Sequence, residues 1–269
     1  MDKNIVSLGL CAGLAGGIAA FGLARWQVTP AIAASIDYEQ GRSAAESALS
    51  GEHPHEHEVF SRALQENVGA GLATVVFGIV IGALFAVAFS AVWLSLLRRH
   101  LAVSPRATAG GLAVSGFVSL CLVPLLVNPA NPPSVGEHDT MSDRTTSYVT
   151  VLVVSVTAAA AAFALALRLV SKFGGFAAGA LGSAGYAVTL GLVATLLPRF
   201  VETPAPLSDD SGRVVFPGFP ADVLADFRMY SLLSQAVMWV VIGAVFAAVV
   251  PRVLHRRFAV TDRVASVAV

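Results

Sequence analysis

The sequence predicts an all-α integral membrane protein with six transmembrane helices, both termini in the cytoplasm and three long external loops. Of the 269 residues, 56% are hydrophobic and only 13% are charged, and the mean hydropathy is +0.74. Such a chain is too apolar for an ordinary soluble domain. A helix needs about 20 residues to cross ~30 Å of hydrocarbon. Six uncharged runs are long enough, at residues 4–24, 67–97, 107–136, 145–167, 173–198 and 229–251.

The distribution of charge predicts the orientation of the chain. Ten basic residues but only two acids fall in the segments 1–3, 98–108, 168–174 and 251–269. Seven basic and fifteen acidic residues fall in the longer segments 25–67, 128–147 and 198–230. Because short, densely basic segments lie on the cytoplasmic side, we expect the three acidic segments to be external loops. Residues 1–269 then form a single membrane domain in the cell membrane.

The first predicted helix, over residues 5–24, is rich in small residues. Gly9, Gly13 and Gly17 repeat at a spacing of four, which allows two helices to approach closely in lipid. We expect the helix to end at Thr29-Pro30, because proline disrupts the interior of a helix.

The later helices are placed by their boundary residues. Residues 35–49 contain few helix breakers and are expected to form a short surface helix. Ser104-Pro105 is expected to cap the third transmembrane helix. The connection over 168–174 is short, so the fourth and fifth helices are expected to form a tight hairpin. Helices 2 to 6 are predicted over residues 67–97, 107–127, 147–170, 175–197 and 230–250.

A weak internal repeat relates helices 2 and 6, because Val80–Ala86 resembles Val241–Ala247. An external arginine also precedes each even-numbered helix, at Arg62, Arg144 and Arg228. These features would suit three helical hairpins around a common axis. Chance similarity among helices rich in Gly, Ala and Val explains the repeat at least as well.

The segment from Gly51 to Glu58, Gly-Glu-His-Pro-His-Glu-His-Glu, is a candidate metal-binding site. His53, His55 and His57 alternate along it, and Pro54 disfavours a helix at the residue before it. In an extended chain alternate side chains share one face, so the three imidazoles can point the same way. Neutral imidazole suits Zn, Cu, Ni and, by similar hardness, Co(II). A solvated acidic loop with incidental histidines is the alternative.

Several other classes of function are disfavoured by missing motifs. The sequence has no phosphate-binding loop of an ATPase and no surface typical of nucleic-acid binding. It also lacks the H-E-x-x-H motif and a serine–histidine pair, so an enzyme using a bound metal is a weaker hypothesis than transport. Cys11 and Cys121 lack metal-ligand spacing and are interpreted as small apolar core residues.

Three stretches together resemble the CbtA family, predicted cobalt transporter subunits of prokaryotes. The first is the His/Glu segment followed by Arg62 and a glycine-bearing helix. The second is Asn131-Pro-Pro-Ser-Val-Gly-Glu-His-Asp-Thr140, followed by Arg144 and Tyr148. The third is Phe219-Pro-Ala-Asp-Val-Leu-Ala-Asp-Phe-Arg228, followed by Trp239. The resemblance spans most of residues 5–250, and its second and third stretches are the specific ones.

The resemblance implies a protein with several membrane helices, no ATP-binding part and cobalt as its substrate. It further implies a very small, single-span partner protein that carries a histidine motif. Together with the residues, it favours a membrane subunit that takes up a divalent transition metal, Co(II), without an organic cofactor. A membrane scaffold or metal sensor that binds ions without moving them is the competing hypothesis.

Two groups of candidate site residues follow. The candidate metal ligands are His53, His55, His57, Glu52, Glu56, Glu58 and His138. The candidate pathway or gate residues are Asn67, Asn128, Asn131, Arg144, Tyr148, Arg228 and Gln235.

The arginines have two interpretations, because like charges repel and a cation path is not expected to be lined by arginine. In one, they anchor helix ends at the membrane interface. In the other, they pair with acids to close the external mouth. The nearest acids in the sequence are Asp143 for Arg144 and Asp226 for Arg228.

Overall fold

The computed structural model describes residues 3–50 and 69–267, with side chains described as far as His255. Within these residues the chain is helical apart from its connections and one small two-stranded hairpin. Five of the described helices are long and apolar enough to cross a membrane. The prediction of an all-α membrane protein is therefore confirmed.

Long helices make up most of the fold, and connections of different lengths join them. In chain order they are α1 (Lys3–Leu23), a first π turn (Ala24–Val28), α2 (Thr29–Ser50), α3 (Ala70–Arg98), α4 (Pro105–Phe117), a second π turn (Val118–Leu122), α5 (Val123–Val127), α6 (Met141–Leu196), β1 (Leu207–Ser208), β2 (Val214–Phe216) and α7 (Ala221–Val267). The non-helical connections after α5 and α6 are residues 128–140 and 197–220.

The predicted helix break at Thr29-Pro30 is wrong. A continuous helical segment of 48 residues runs from Lys3 to Ser50, and it includes the helix expected over 35–49. A proline ring clashes with the carbonyl four residues before it in a regular α-helix. Here the first π turn comes directly before Thr29, and its wider backbone accommodates the proline. The second π turn precedes Pro124 in the same way.

Helix α6 is 56 residues long and is broken at Gly174. The backbone of Gly174 has φ 77° and ψ 166°, a conformation that a residue with a Cβ rarely adopts. The segments on either side contact each other, because the hydroxyls of Ser155 and Tyr186 lie 2.8 Å apart. A methyl group on Gly182 would lie 2.7 Å from the Ala162 carbonyl oxygen. These pairings show that the two halves run antiparallel, as a hairpin around Gly174.

The helices divide into two compact units. The first contains α1, α3, α4 and the part of α7 from Leu233 onward. The second contains α2, α5, α6, both strands and the beginning of α7. The first unit is built on helix packing alone, whereas the second also contains the long connections.

Helices α1 and α3 of the first unit pack antiparallel through facing glycines. Gly9, Gly13 and Gly17 of α1 meet Gly78 and Gly82 of α3. A methyl group on Gly78 would lie 2.7 Å from Gly17 Cα, and one on Gly82 would lie 2.7 Å from Gly13 Cα. These distances are too short for any side chain, so the two backbones touch. The close packing predicted from the glycine spacing of α1 is confirmed.

An aromatic cluster joins α3 to α7 within the same unit. Phe246 lies between Phe85 and Phe89, with ring centroids 5.0 Å and 4.9 Å away. Trp239 packs edge-on against Phe85 at 6.4 Å. All four rings are buried, so the face of α3 used here contacts protein rather than lipid.

Replacement of one contact glycine by alanine tests the packing of α1 on α3. We expect Gly13→Ala to lower the free energy of unfolding by about 1–3 kcal/mol, the usual cost of overpacking. The thermal unfolding midpoint of the full-length protein in detergent is the measurement. Gly22→Ala in the same helix is the control, because a methyl group there meets nothing within 4 Å. An unchanged midpoint for Gly13→Ala would contradict the backbone contact.

Candidate functional site

Three segments predicted to be external meet in the second unit and form one folded structure. We call it the cap and define it as α2 with the connections 128–140 and 197–220. Within the last connection, β1 and β2 form a short antiparallel hairpin. The cap matters for function because α2 ends at Ser50, directly before the predicted metal-binding segment.

Tyr38 is the apolar centre of the cap. It is 7% exposed, and its ring lies 4.9 Å from that of Phe219 and 5.4 Å from that of Phe216. Val135 from the connection 128–140 completes the buried cluster. The Tyr38 hydroxyl donates a hydrogen bond to the Pro217 carbonyl oxygen at 3.1 Å. One side chain of α2 thus contacts both of the other cap segments.

Two further hydrogen bonds fix α2 to its neighbours in the cap. The Ser134 hydroxyl donates to the Ser35 carbonyl oxygen at 3.1 Å, and Arg42 Nη1 donates to the Ala205 carbonyl oxygen at 2.7 Å. Ser134 adopts a positive φ of 62°, which places it at a tight turn. Helix α2 is therefore held at Ser35 and Arg42 as well as at Tyr38.

Glu202 holds the connection 128–140 against the connection 197–220. Its carboxylate accepts hydrogen bonds from the Thr140 hydroxyl at 2.6 Å and from the Glu137 N–H at 2.9 Å. Its backbone carbonyl oxygen also accepts the Gly136 N–H at 3.2 Å. The Glu202 side chain is only 9% exposed. A nearly buried carboxylate that accepts several hydrogen bonds is expected to rigidify its surroundings.

Arg144, the fourth residue of α6, supplies the counter-charge to Glu202. Its Nε lies 3.3 Å from Glu202 Oε2, an ion-pair distance at which that N–H is not aligned for a hydrogen bond. Its Nη2 donates to the Glu137 carbonyl oxygen at 2.9 Å. Gly136, with φ 114°, leaves room for the guanidinium, since a Cβ there would collide with it. The bonds from Thr140 and Glu137, with the charge of Arg144, hold the pKa of the Glu202 carboxyl below its ordinary value of 4.5.

Arg228 connects the beginning of α7 to the other connection of the cap. Its Nε donates to the Ala130 carbonyl oxygen at 3.1 Å, and its Nη2 donates to Asn131 Oδ1 at 2.8 Å. Both acceptors are neutral oxygens. The guanidinium is thus held in place while its charge stays uncompensated by a carboxylate within the described part of the chain.

The acids expected to pair with the two arginines are not their partners. Arg144 is paired with Glu202 instead of Asp143, and Arg228 is bound to Asn131 instead of Asp226. The reason is geometric, since residues one or two apart on a helix point in different directions. The residues around Arg144 give no sign that it pairs with Glu202. The one hint lies at the other partner, because Glu202 directly precedes the Thr203-Pro204 turn that follows an apolar run.

The other candidate residues have separate environments. Asn128 Oδ1 accepts the Ser147 hydroxyl at 3.0 Å, while the buried Nδ2 has no hydrogen-bond partner in the described structure. His138 is exposed at the cap surface, and Tyr148 is 40% exposed on α6. Gln235 is half-buried on α7 in the first unit.

Six of the seven predicted metal ligands are outside the part of the chain that the structure describes, and His138 is the exception. The six are His53, His55, His57, Glu52, Glu56 and Glu58, and the predicted pathway residue Asn67 is also outside the described residues. Across residues 3–50 and 69–255, no cluster of three His, Cys, Asp or Glu side chains suits a metal ion. The described cap therefore offers hydrogen bonds and arginines, and no complete metal site of its own.

The lowered pKa of Glu202 predicts a pH-dependent contribution to stability. Because the folded state favours the ionised carboxylate, this contribution is present above about pH 4.5 and is lost as the pH falls through the lower folded-state pKa. We expect Glu202→Gln to lower the thermal unfolding midpoint at pH 7. The difference from wild type should shrink as the pH falls below 4.5. Asp139→Asn, an exposed cap residue, is the control, and a pH-independent effect of Glu202→Gln would refute the assignment.

One comparison with known proteins identifies the family of the chain. A family model described as "Probable cobalt transporter subunit (CbtA)" matches residues 2–251. Neither a curated protein nor a solved structure matches the chain. The match covers the cap, helices α1 to α6 and α7 as far as residue 251, and it includes the stretches around Arg144 and Arg228. The chain belongs to the CbtA family of cobalt transporter subunits.

Proposed function

We propose that the chain takes up divalent cobalt across the cell membrane, with the cap outside and the His/Glu segment capturing the ion. The observation that carries this proposal is the attachment of α2 to the two other segments of the cap. The helix that leads into the segment 51–58 is fixed through Tyr38 and Arg42. The segment 51–58 therefore follows, in sequence, a helix that is held by the two other cap segments. Family membership supports cobalt as the substrate.

We infer six membrane spans, and the cap and the α6 hairpin support this number. If the cap keeps α2 and the connections 128–140 and 197–220 on one side of the membrane, an even number of spans separates them. Helix α3 and the segment from α4 to α5 supply one pair. The two halves of α6, reversed at Gly174, supply the second. The long helix before Ser50 and helix α7 supply the remaining two spans and bring both termini to the cytoplasmic side.

The histidine imidazoles are the proposed ligands that capture the ion. Neutral histidine nitrogen binds Co(II) and similar divalent ions, and the neighbouring glutamates add charge attraction. His138 on the exposed surface of the cap is a further ligand candidate. The ion itself is the cargo, so binding needs to be reversible, and a small partner subunit carrying histidines would receive or deliver it.

Arg144 and Arg228 are assigned to closure of the external mouth. Each fixes the beginning of a membrane helix to a cap segment, through Glu202 in one case and Asn131 in the other. These contacts are made by guanidinium groups with defined geometry, which lysine cannot reproduce. Asn128, directly after α5, is close in sequence to Asn131, and Tyr148 is close in sequence to Arg144. We assign both to the same external mouth.

The orientation is tested by labelling single cysteines in sealed cells. In a background with Cys11 and Cys121 replaced by alanine, we expect Ser50→Cys to react with an impermeant maleimide. Ser171→Cys, beside the α6 turn, should react only after permeabilisation, as should Ser266→Cys in the C-terminal segment. Both Ser50 and Ser171 are exposed, so burial does not explain a difference. Labelling of Ser171→Cys or Ser266→Cys in intact cells would contradict the topology.

Replacement of His53, His55 and His57 by alanine tests the capture segment. We expect the cobalt concentration for half-maximal uptake to rise by about tenfold, which corresponds to about 1.4 kcal/mol of lost binding free energy. The maximal rate should change little, because the segment supplies ions to the path without lining it. Uptake in cells with normal membrane levels of the variant is the measurement.

The matched control replaces His100 and His255 separately, since both lie outside the segment and neither is a ligand candidate. An equal loss of uptake at all cobalt concentrations would place the three histidines in the path itself. Unchanged uptake would favour a solvated loop. Cells lacking the protein should accumulate less cobalt than cells that have it, and equal accumulation would favour a sensor or scaffold.

A further inference from the structure

A cavity in the second unit lies where the ends of apolar helices meet the cap. Its volume is about 350 Å³, within the range of small-ligand sites, roughly 300–1,000 Å³. Its polar wall contains Asn131, Arg199, Glu202 and Arg228. The ion pair with Arg144 accounts for the charge of Glu202. The charges of Arg199 and Arg228 are not accounted for by that pair.

The cavity wall has an excess of positive charge. The charge of Glu202 is balanced by Arg144, which lies outside the lining. Arg228 is held by a carbonyl and an amide oxygen, and both acceptors are neutral. Arg199 is exposed and has no ion pair within the described residues. Two arginines therefore line the cavity without an anionic partner in the described part of the chain, and such a pair favours phosphate or carboxylate oxygens.

Most of the other lining residues are apolar. Leu126 and Val127 come from the end of α5, Ala194 lies at the end of α6, and Leu197 directly follows that helix. Leu126 is 70% exposed, and Val201, which also lines the cavity, is 90% exposed. The apolar surface therefore extends from the cavity to the exterior. A soluble phosphate would use only the arginine side of such a cavity.

We infer that this cavity binds the phosphodiester head group of an anionic phospholipid, with an acyl chain along Leu126 and Val127. The two arginines contact the phosphate, as in basic pockets between transmembrane helices. The ligand is thereby placed against Asn131 and Arg228, which join α7 to the connection 128–140. A bound lipid stabilises this junction of the cap in addition to filling the cavity. The inference does not depend on cobalt uptake.

Binding to the purified full-length protein in non-ionic detergent tests the inference. We expect dioctanoyl phosphatidylglycerol to bind and to raise the thermal unfolding midpoint more than dioctanoyl phosphatidylcholine, which carries no net charge. Arg199→Gln should weaken phosphatidylglycerol binding by roughly tenfold, the effect of losing one charged hydrogen bond. Arg213→Gln is the control, because that side chain is 79% exposed and does not line the cavity.

Three results would overturn the inference. The first is equal affinity for phosphatidylglycerol and phosphatidylcholine. The second is unchanged phosphatidylglycerol binding by both Arg199→Gln and Arg228→Gln, measured as bound lipid by native mass spectrometry. The third is stabilisation by inorganic phosphate or glycerophosphoglycerol at the concentrations where the lipid acts, because the acyl chain would then be irrelevant. None of these readouts requires transport activity.

Discussion

Contact between the backbones of α1 and α3 is the interaction on which the first unit depends. Apolar side chains gain little by leaving lipid for another apolar surface, so close packing and weak polar contacts supply the association energy. Five glycines along this crossing bring the two helices together over their full length of contact. The neighbouring face of α3 is then free to present Phe85 and Phe89 to α7. Small residues on one face thereby permit large aromatic residues on the next.

The second unit is stabilised by different physics, because much of it consists of connections instead of membrane helices. Each connection contains backbone groups without helical partners, and these must find hydrogen bonds. Glu202 satisfies donors of the connection 128–140, while Arg228 satisfies two of its acceptors. Tyr38 adds a buried aromatic contact and one hydrogen bond. The cap is therefore a small folded structure with an apolar centre and charged side chains that close its edges.

Local patterns predicted local features well. The spacing of Gly9, Gly13 and Gly17 is read within three helical turns, and it predicted their packing. The break at Pro30 was predicted wrongly, because a π turn changes the carbonyl that the proline ring would meet, and no residue type announces such a turn. The Arg144–Glu202 pair joins residues far apart in the sequence, so adjacency suggested Asp143 instead. The sequence predicted the three cap segments as separate loops, but their folding together depends on tertiary contacts that sequence spacing does not encode.

Arginines beside the proposed path for cations need a physical explanation, since their charge would oppose entry of a divalent ion. The arginines differ in whether a carboxylate compensates their charge. The charge of Arg144 is neutralised by a carboxylate that is almost fully buried, so it contributes structure with little field. Arg228 and Arg199 keep their charge at a cavity that also has apolar lining residues, where a bound phosphodiester would neutralise one of the two charges. The three cap segments themselves carry eight acidic and three basic residues, so their net negative charge attracts cations with or without that lipid.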